Sequence, residues 1–222
     1  MTDLQATLSF LNDLSHNNNR PWFEANRARY QRAAGAFEAL VTELIAELGK
    51  LEDLGTVTPK DCIFRINRDV RFSRDKSPYK TQMGAVVGPN GRRSLVRSVY
   101  VHLEPHDASF IAGGLYEPDS EQLSHVRQHL ATDAQAFREI IAAPEFVQWF
   151  GALEGDQLKT APQGYDKQHP DIDLLRYKQY LAFHRLKDTD VVDEGLVQRV
   201  IGARNAMQPF LAYLDEAAGT PT

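Results

Sequence analysis

The chain has a single cysteine in 222 residues, no uninterrupted apolar run long enough to cross a membrane, and no glycine-rich loop ahead of its Lys76-Ser77 pair. Each absence excludes something. Lone Cys62 can neither close an intrachain disulfide nor build a cysteine-based zinc site, and it fits a reducing compartment. A membrane-spanning helix needs roughly 18 consecutive apolar residues, so none is predicted. Met1 to Ser9 lacks the basic start and apolar core of a secretory signal, and the expectation is a cytoplasmic protein. Without preceding glycines, whose amides would cradle phosphates, Lys76-Ser77 is not a P-loop. Internal repeats and low-complexity tracts are also missing.

What is present is an uneven charge. The chain carries 30 acidic and 25 basic residues, a net charge of -5. Between Lys60 and Arg97, however, ten basic residues face three acidic ones, leaving +7 there and -12 on the remainder. A cationic region on an anionic protein attracts a compact anion locally without making the whole surface adhere to nucleic acid. Arg92 and Arg93, beside a turn, read as ordinary solvated charges.

The apolar spacing divides the chain into three stretches. Residues 1–50 read as helical: Thr2 and Gln5 form a capping box, Leu4, Leu8, Leu11 and Leu14 recur at helical spacing, and Phe37 to Leu48 make a second stripe ending at Gly49. Gly35 is a candidate break in that second helix, and Trp22 and Phe23 read as core anchors. Residues 57–116 carry the sheet and a basic loop. Alternation predicts strands from Cys62, over Met83 to Val87, over Leu95 to Leu103, and over Ser109 to Ala112, joined by turns at Gly88 to Gly91 and Glu104 to Asp107. Residues 118–217 return to helical spacing, with a loop-rich stretch from Gly151 to Pro170, a short helix near Asp171 to Tyr177, and a last helix from Thr189 or Asp190, interrupted near Pro209. Helices, consecutive strands and helices again predict one α+β domain built on an antiparallel meander of about four or more strands.

The chemistry concentrates in Arg65 to Thr81, which reads R-I-N-R-D-V-R-F-S-R-D-K-S-P-Y-K-T. Continued as a strand, this segment turns Ile66, Arg68, Val70 and Phe72 toward the core, and a buried Arg68 then needs Asp69 or Asp75 as its partner. Two aspartates cannot neutralise Arg65, Arg68, Arg71, Arg74, Lys76 and Lys80 together, and the surplus invites an anion whose oxygens match the guanidinium fork. The bland alternative is an internal Arg-Asp lattice that fixes the loop. The expected ligand-binding set is Arg65, Arg68, Arg71, Arg74, Lys76, Tyr79, Lys80 and Tyr116, the two tyrosines acting as walls. Asp69 and Asp75 are the only catalytic candidates, as base or magnesium holder in phosphoester chemistry. The sequence assigns no cofactor and no oligomeric state.

Other residues read as structural. Cys62 alternates with Phe64 on the presumed core face, as an inert thiol does. His125 and His129 stand four apart, but Val126 occupies the place where the H-E-x-x-H pattern demands glutamate, so no metal site is expected. His169 reads as a satisfied loop histidine, and the Gly113-Gly114 pair permits close approach of either a strand or a ligand.

The chain resembles the bacterial and fungal family catalogued as domain of unknown function 2461. The resemblance rests on N-N-x-R-x-W-F-x-x-N from Asn17 to Asn26, the long string beginning at Arg65, G-G-L-Y at Gly113 to Tyr116, and P-x-G-Y with H-P between Pro162 and Pro170. Gln163 stands where that pattern implies a lysine. The family name implies kinship without an activity. The functional expectation is therefore a binder of a small phosphate- or carboxylate-bearing ligand, with a nucleic-acid module or a non-catalytic interaction protein as the alternatives.

Overall fold

The computed structural model describes residues 3–219. Thr2, placed in the predicted capping box, lies outside them; within them Asp3 caps the first helix by accepting from the Ala6 amide at 3.1 Å. The elements in chain order are α1 (Leu4–His16), α2 (Arg20–Ala25), α3 (Arg27–Leu48), α4 (Pro59–Cys62), β1 (Met83–Val87), a 3₁₀ turn (Gly91–Arg93), β2 (Val99–Leu103), β3 (Ser109–Leu115), α5 (Ser120–Thr132), α6 (Gln135–Ala142), α7 (Pro144–Phe150), α8 (Ile172–Leu175), β4 (Tyr180–Leu186), α9 (Asp188–Val191), α10 (Leu196–Ala206) and α11 (Gln208–Ala217). The four strands form one antiparallel sheet in the order β1-β2-β3-β4, and with the flanking helices this is the predicted α+β class. Among the described residues no helix is long and apolar enough to cross a membrane.

The chain clusters into two compact units. Of the described residues, one comprises 3–94 with Val99–Ile111 and Arg185–Gly202; the other comprises Leu95–Ser98, Ala112–His184 and 203–219. In the first, the leucine stripe of α1 packs on α3, where Phe37, Val41 and Leu44 are wholly buried, and Thr7 donates its hydroxyl to the Ala33 carbonyl at 3.1 Å. An aromatic group of Phe10, Trp22, Phe23 and Tyr30 closes the end of this pair, and Tyr79 stacks on Phe23 with centroids 3.9 Å apart. In the second, Phe137, Phe146, Tyr180 and Phe210 form the buried centre. There Gly114, at φ 131°, brings its backbone so close to β4 that a Cβ would sit 2.1 Å from the Tyr180 carbonyl oxygen. Gly114 thus permits close strand packing, while a side chain at Gly113 would collide with the Met207 sulfur.

Several expectations need correction. The predicted strand from Cys62 is not a strand, because Thr58 and Pro59 open α4 instead: the Thr58 amide and hydroxyl both donate to Asp61, at 3.0 and 2.6 Å, and Cys62 falls inside the helix. Beyond it only isolated bridges at Ile63 and Asn67 remain. The strand predicted over Leu95 to Leu103 begins only at Val99, and the fourth strand is β4, from a segment without clean alternation. Finally, Phe72 does not face the core; it is 96% exposed.

Gly35 does not break α3, which runs unbroken for 22 residues, and nothing lies within 4 Å of a Cβ built there. Glycine inside a helix costs about 0.5–1 kcal/mol relative to alanine. Gly35→Ala therefore raises the unfolding free energy in urea by about that amount; a lower denaturation midpoint would contradict a continuous α3.

Candidate functional site

The segment after α4 runs beside β1, with the Phe64 amide donating to the Gly84 carbonyl at 2.9 Å. It then pairs with the return of its own loop: Arg68 N–H donates to Pro78 O at 2.9 Å, Lys80 N–H donates to Ile66 O at 2.8 Å, and Asn67 bridges Tyr79. The loop between is braced from within. Arg68 donates to Asp75 and also to the Ser77 carbonyl, the latter at 3.2 Å. Asp75 in turn receives the Ser77 amide and hydroxyl at 2.9 and 2.7 Å. Arg71 grips Asp69 through Nε and Nη2 at 3.0 and 2.6 Å, and Lys76 donates to the Val70 carbonyl at 2.9 Å.

The N-terminal motif completes the brace. Asn18 mimics a β-strand partner toward Tyr79, donating to its carbonyl at 2.9 Å and accepting from its amide at 3.1 Å. Asn19 caps α2 through the Trp22 amide at 3.0 Å, and the α2 residue Phe23 stacks on the Tyr79 ring. The Asn17 to Asn26 motif and the Arg65 string are therefore two halves of one structural device. Tyr79, expected as a pocket wall, is buried in that device, only 6% exposed.

Both aspartates are held in their ionised form, Asp75 the more strongly. Hydrogen bonds from the Ser77 hydroxyl and amide, then from Arg68, hold Asp75 well below the usual carboxylate range. The Arg71 guanidinium and amide lower Asp69, with a further contribution from the charge of Arg65. Carboxylates so depressed are weak bases. Of the six cations, Arg68 and Arg71 have carboxylate partners and Lys76 has backbone carbonyls. Arg65, Arg74 and Lys80 have no carboxylate partner among the described residues. Arg65 and Arg74 are exposed. Lys80 is half-buried with its ammonium 5.3 Å from the Phe64 ring centroid, and its pKa is lowered by desolvation and then by the charge of Arg65. Arg92 lies over the same ring at 6.0 Å while donating to the carbonyls of Lys60 and Ile63. Tyr116 belongs to the second unit, exposed, with its hydroxyl donating to Glu117 at 3.1 Å.

A second group of side chains was not singled out by sequence. On β2 the apolar Val99, Val101 and Leu103 alternate with Tyr100 and His102, which form a continuous hydrogen-bonded row with Glu104 just beyond the strand. The Tyr100 hydroxyl lies 3.0 Å from His102 Nδ1, and His102 Nε2 lies 2.9 Å from Glu104 Oε2. Thr81 donates to the other Glu104 oxygen at 3.4 Å, and Phe110 stacks on the imidazole at 4.4 Å. Gly84, opposite His102 in the β1-β2 register, makes room for the row: a Cβ there would stand 2.5 Å from the Tyr100 hydroxyl. Phe64 meets Tyr100 edge-on at 6.3 Å and so links the row to Lys80. The period-two spacing of Tyr100, His102 and Glu104 is the signal that marks them in sequence.

The other candidates belong to neither group. Burial, followed by the charge of Asp61, pushes the Cys62 thiol up to about 11, so it stays protonated and unreactive at neutral pH. His169 Nδ1 accepts the Asp171 amide at 3.1 Å. His125 and His129 line a surface depression with Gln128, Thr132 and Asp133, and among the described residues no three His, Cys, Asp or Glu side chains are placed to hold a metal.

Removing the brace has a local outcome. In Asp75→Ala the Ser77 amide loses its acceptor, so its hydrogen exchange accelerates while the α1 and α3 amides keep their protection. In the unsubstituted protein the same loosening appears only as pH falls below the ordinary aspartate value of 3.8 toward the depressed one. Unchanged exchange at Ser77 would show that the carboxylate does not hold the loop.

The model of a family described as a conserved hypothetical protein (DUF2461) matches residues 6–213, nearly the whole chain. No curated protein and no solved structure matches it.

Proposed function

The chain belongs to the DUF2461 family, whose description names no activity, and we propose that it binds a small phosphate- or carboxylate-bearing ligand beside Phe64, with Lys80 as the principal cation and Arg65 and Arg92 flanking. The observation that carries this reading is the state of Lys80: an ammonium half-withdrawn from water, with another cation as its electrostatic neighbour and no carboxylate partner among the described residues. An aromatic face offers a half-exposed cation only about 0.5–1 kcal/mol, whereas a charge-assisted hydrogen bond contributes about 1.5–3 kcal/mol. An anion is the partner that would satisfy Lys80 and relieve its repulsion with Arg65. Arg68, Arg71, Asp69 and Asp75 hold the loop in this reading and do not contact the ligand. Phosphoester hydrolysis through either aspartate has no support, because both carboxylates are engaged and depressed.

A second reading has one observation in its favour. Phe72 stands 96% exposed at the braced loop, with the Arg71 guanidinium 5.9 Å from its ring, and an exposed aromatic beside cations can stack a nucleobase. The net charge of -5 weighs against extended phosphate tracking.

Thermal unfolding with inorganic phosphate, citrate and a single-stranded oligonucleotide separates the two. Anion binding predicts that millimolar phosphate or citrate raises Tm, that Lys80→Met weakens the response at least tenfold, and that Phe72→Ala leaves it intact. No response to either small anion, or an equal response in Lys80→Met, would refute the reading; a response to the oligonucleotide alone, lost in Phe72→Ala, would establish the second.

A further inference from the structure

We propose that Tyr100, His102 and Glu104 form an acid–base centre that moves a proton to and from a small anionic substrate, with the Tyr100 hydroxyl as the group that meets it. The geometry fixes the direction of transfer. Glu104, acceptor-only when ionised, takes the Nε2–H of His102 at 2.9 Å, which leaves Nδ1 with its lone pair toward the Tyr100 hydroxyl at 3.0 Å. Thr81 on the second Glu104 oxygen and Phe110 flat against the imidazole hold the ring, and His102 is only 8% exposed. A histidine positioned by a carboxylate on one nitrogen and facing a hydroxyl with the other is the arrangement that activates such a hydroxyl. Gly84 is part of the device, because any side chain there would occupy the space of the Tyr100 oxygen.

In the forward step a C–H or O–H bond of the substrate breaks and its proton passes to the Tyr100 oxygen, while the phenolic proton of Tyr100 moves to His102 Nδ1. The electron pair stays on the substrate as its conjugate base. The imidazolium so formed faces the Glu104 carboxylate. The reverse step returns a proton to the same or another atom of the substrate, so no oxidant, reductant or second reactant is needed. The substrate's anionic group is assigned to Lys80, which shares the Phe64 ring as a neighbour with Tyr100; that assignment rests on the binding reading above, whereas the relay does not.

Two arenesulfonyl fluorides test the centre, one carrying a carboxylate and one uncharged. The phenol oxygen forms an S–O bond, the S–F bond breaks, fluoride leaves, and the phenolic proton goes to His102. Peptide mapping by mass spectrometry is expected to show Tyr100 labelled at least tenfold faster than Tyr116, the exposed reference, despite being half-buried. His102→Gln and Glu104→Gln should each reduce that advantage at least severalfold. Labelling of Tyr100 no faster than Tyr116, or unaffected by both substitutions, would overturn the proposal. Lys80→Met should slow the carboxylated probe alone; if it slows neither while Tyr100 remains activated, the anion site fails and the relay stands. The imidazole ¹⁵N spectrum of the unsubstituted protein gives a check that does not depend on a variant folding: the Nε2–H tautomer is expected, and the Nδ1–H tautomer would overturn the relay.

Discussion

The arrangement of the basic segment depends on how two carboxylates are allocated. Asp75 takes Arg68 and the Ser77 amide and hydroxyl, and Asp69 takes Arg71. These bonds close the loop between the paired stretches around Asn67 and Tyr79, and that closure sets Lys80 over the Phe64 ring with no carboxylate partner among the described residues. Were either aspartate to pair with Lys80 instead, the loop would lose its brace and the lysine its uncompensated charge. Loop geometry and residual charge are thus two consequences of one distribution of ion pairs, and the exposed positions of these pairs make them worth more as geometry than as stability.

The N-terminal helices matter to the site through the same loop. Asn18 supplies the hydrogen bonds of a missing strand to the Tyr79 backbone, and Phe23 supplies the surface on which its ring stacks. A motif some 60 residues upstream therefore sets the point at which the chain leaves the loop for Lys80 and Thr81. Thr81 reaches Glu104, and Gly84 leaves room for Tyr100, so the stretch that ends the basic loop also positions the polar row on β2.

Much of the fold was legible because burial follows period. The leucines of α1, the Phe37 to Leu48 stripe and the valines of β2 announce their elements directly. What misled was local chemistry that outranks pattern. Alternation from Cys62 suggested a strand, yet Thr58, Pro59 and Asp61 form a capping box that winds those residues into α4. Strand β4 escaped notice because consecutive Tyr180, Leu181 and Ala182 are all buried and give no alternation. Counting charges draws attention to the Arg65 to Lys80 segment and leaves Asp69 and Asp75 as equal partners for Arg68, of which the structure takes Asp75; a count cannot say which cation each acid takes. It counts Arg71 among the cations in surplus, and the structure pairs that side chain with Asp69. The Tyr100-His102-Glu104 row was readable in principle from its spacing of two, but only tertiary contacts distinguish three polar residues at alternate positions from a connected chain of hydrogen bonds.

The central claim is that Lys80 is a cation awaiting an anion, and its own titration tests it most directly. With ¹³C-labelled lysine, the Cε resonance of Lys80 should titrate below the ordinary value of 10.5, since desolvation and the charge of Arg65 both disfavour the ammonium. In the pH window between the depressed and ordinary values the unfolded chain binds more protons than the folded one, so stability rises with pH there. Inorganic phosphate should move the Lys80 resonance back toward the ordinary value, because a bound anion favours the charged form. A Lys80 that titrates normally and ignores phosphate would contradict the account.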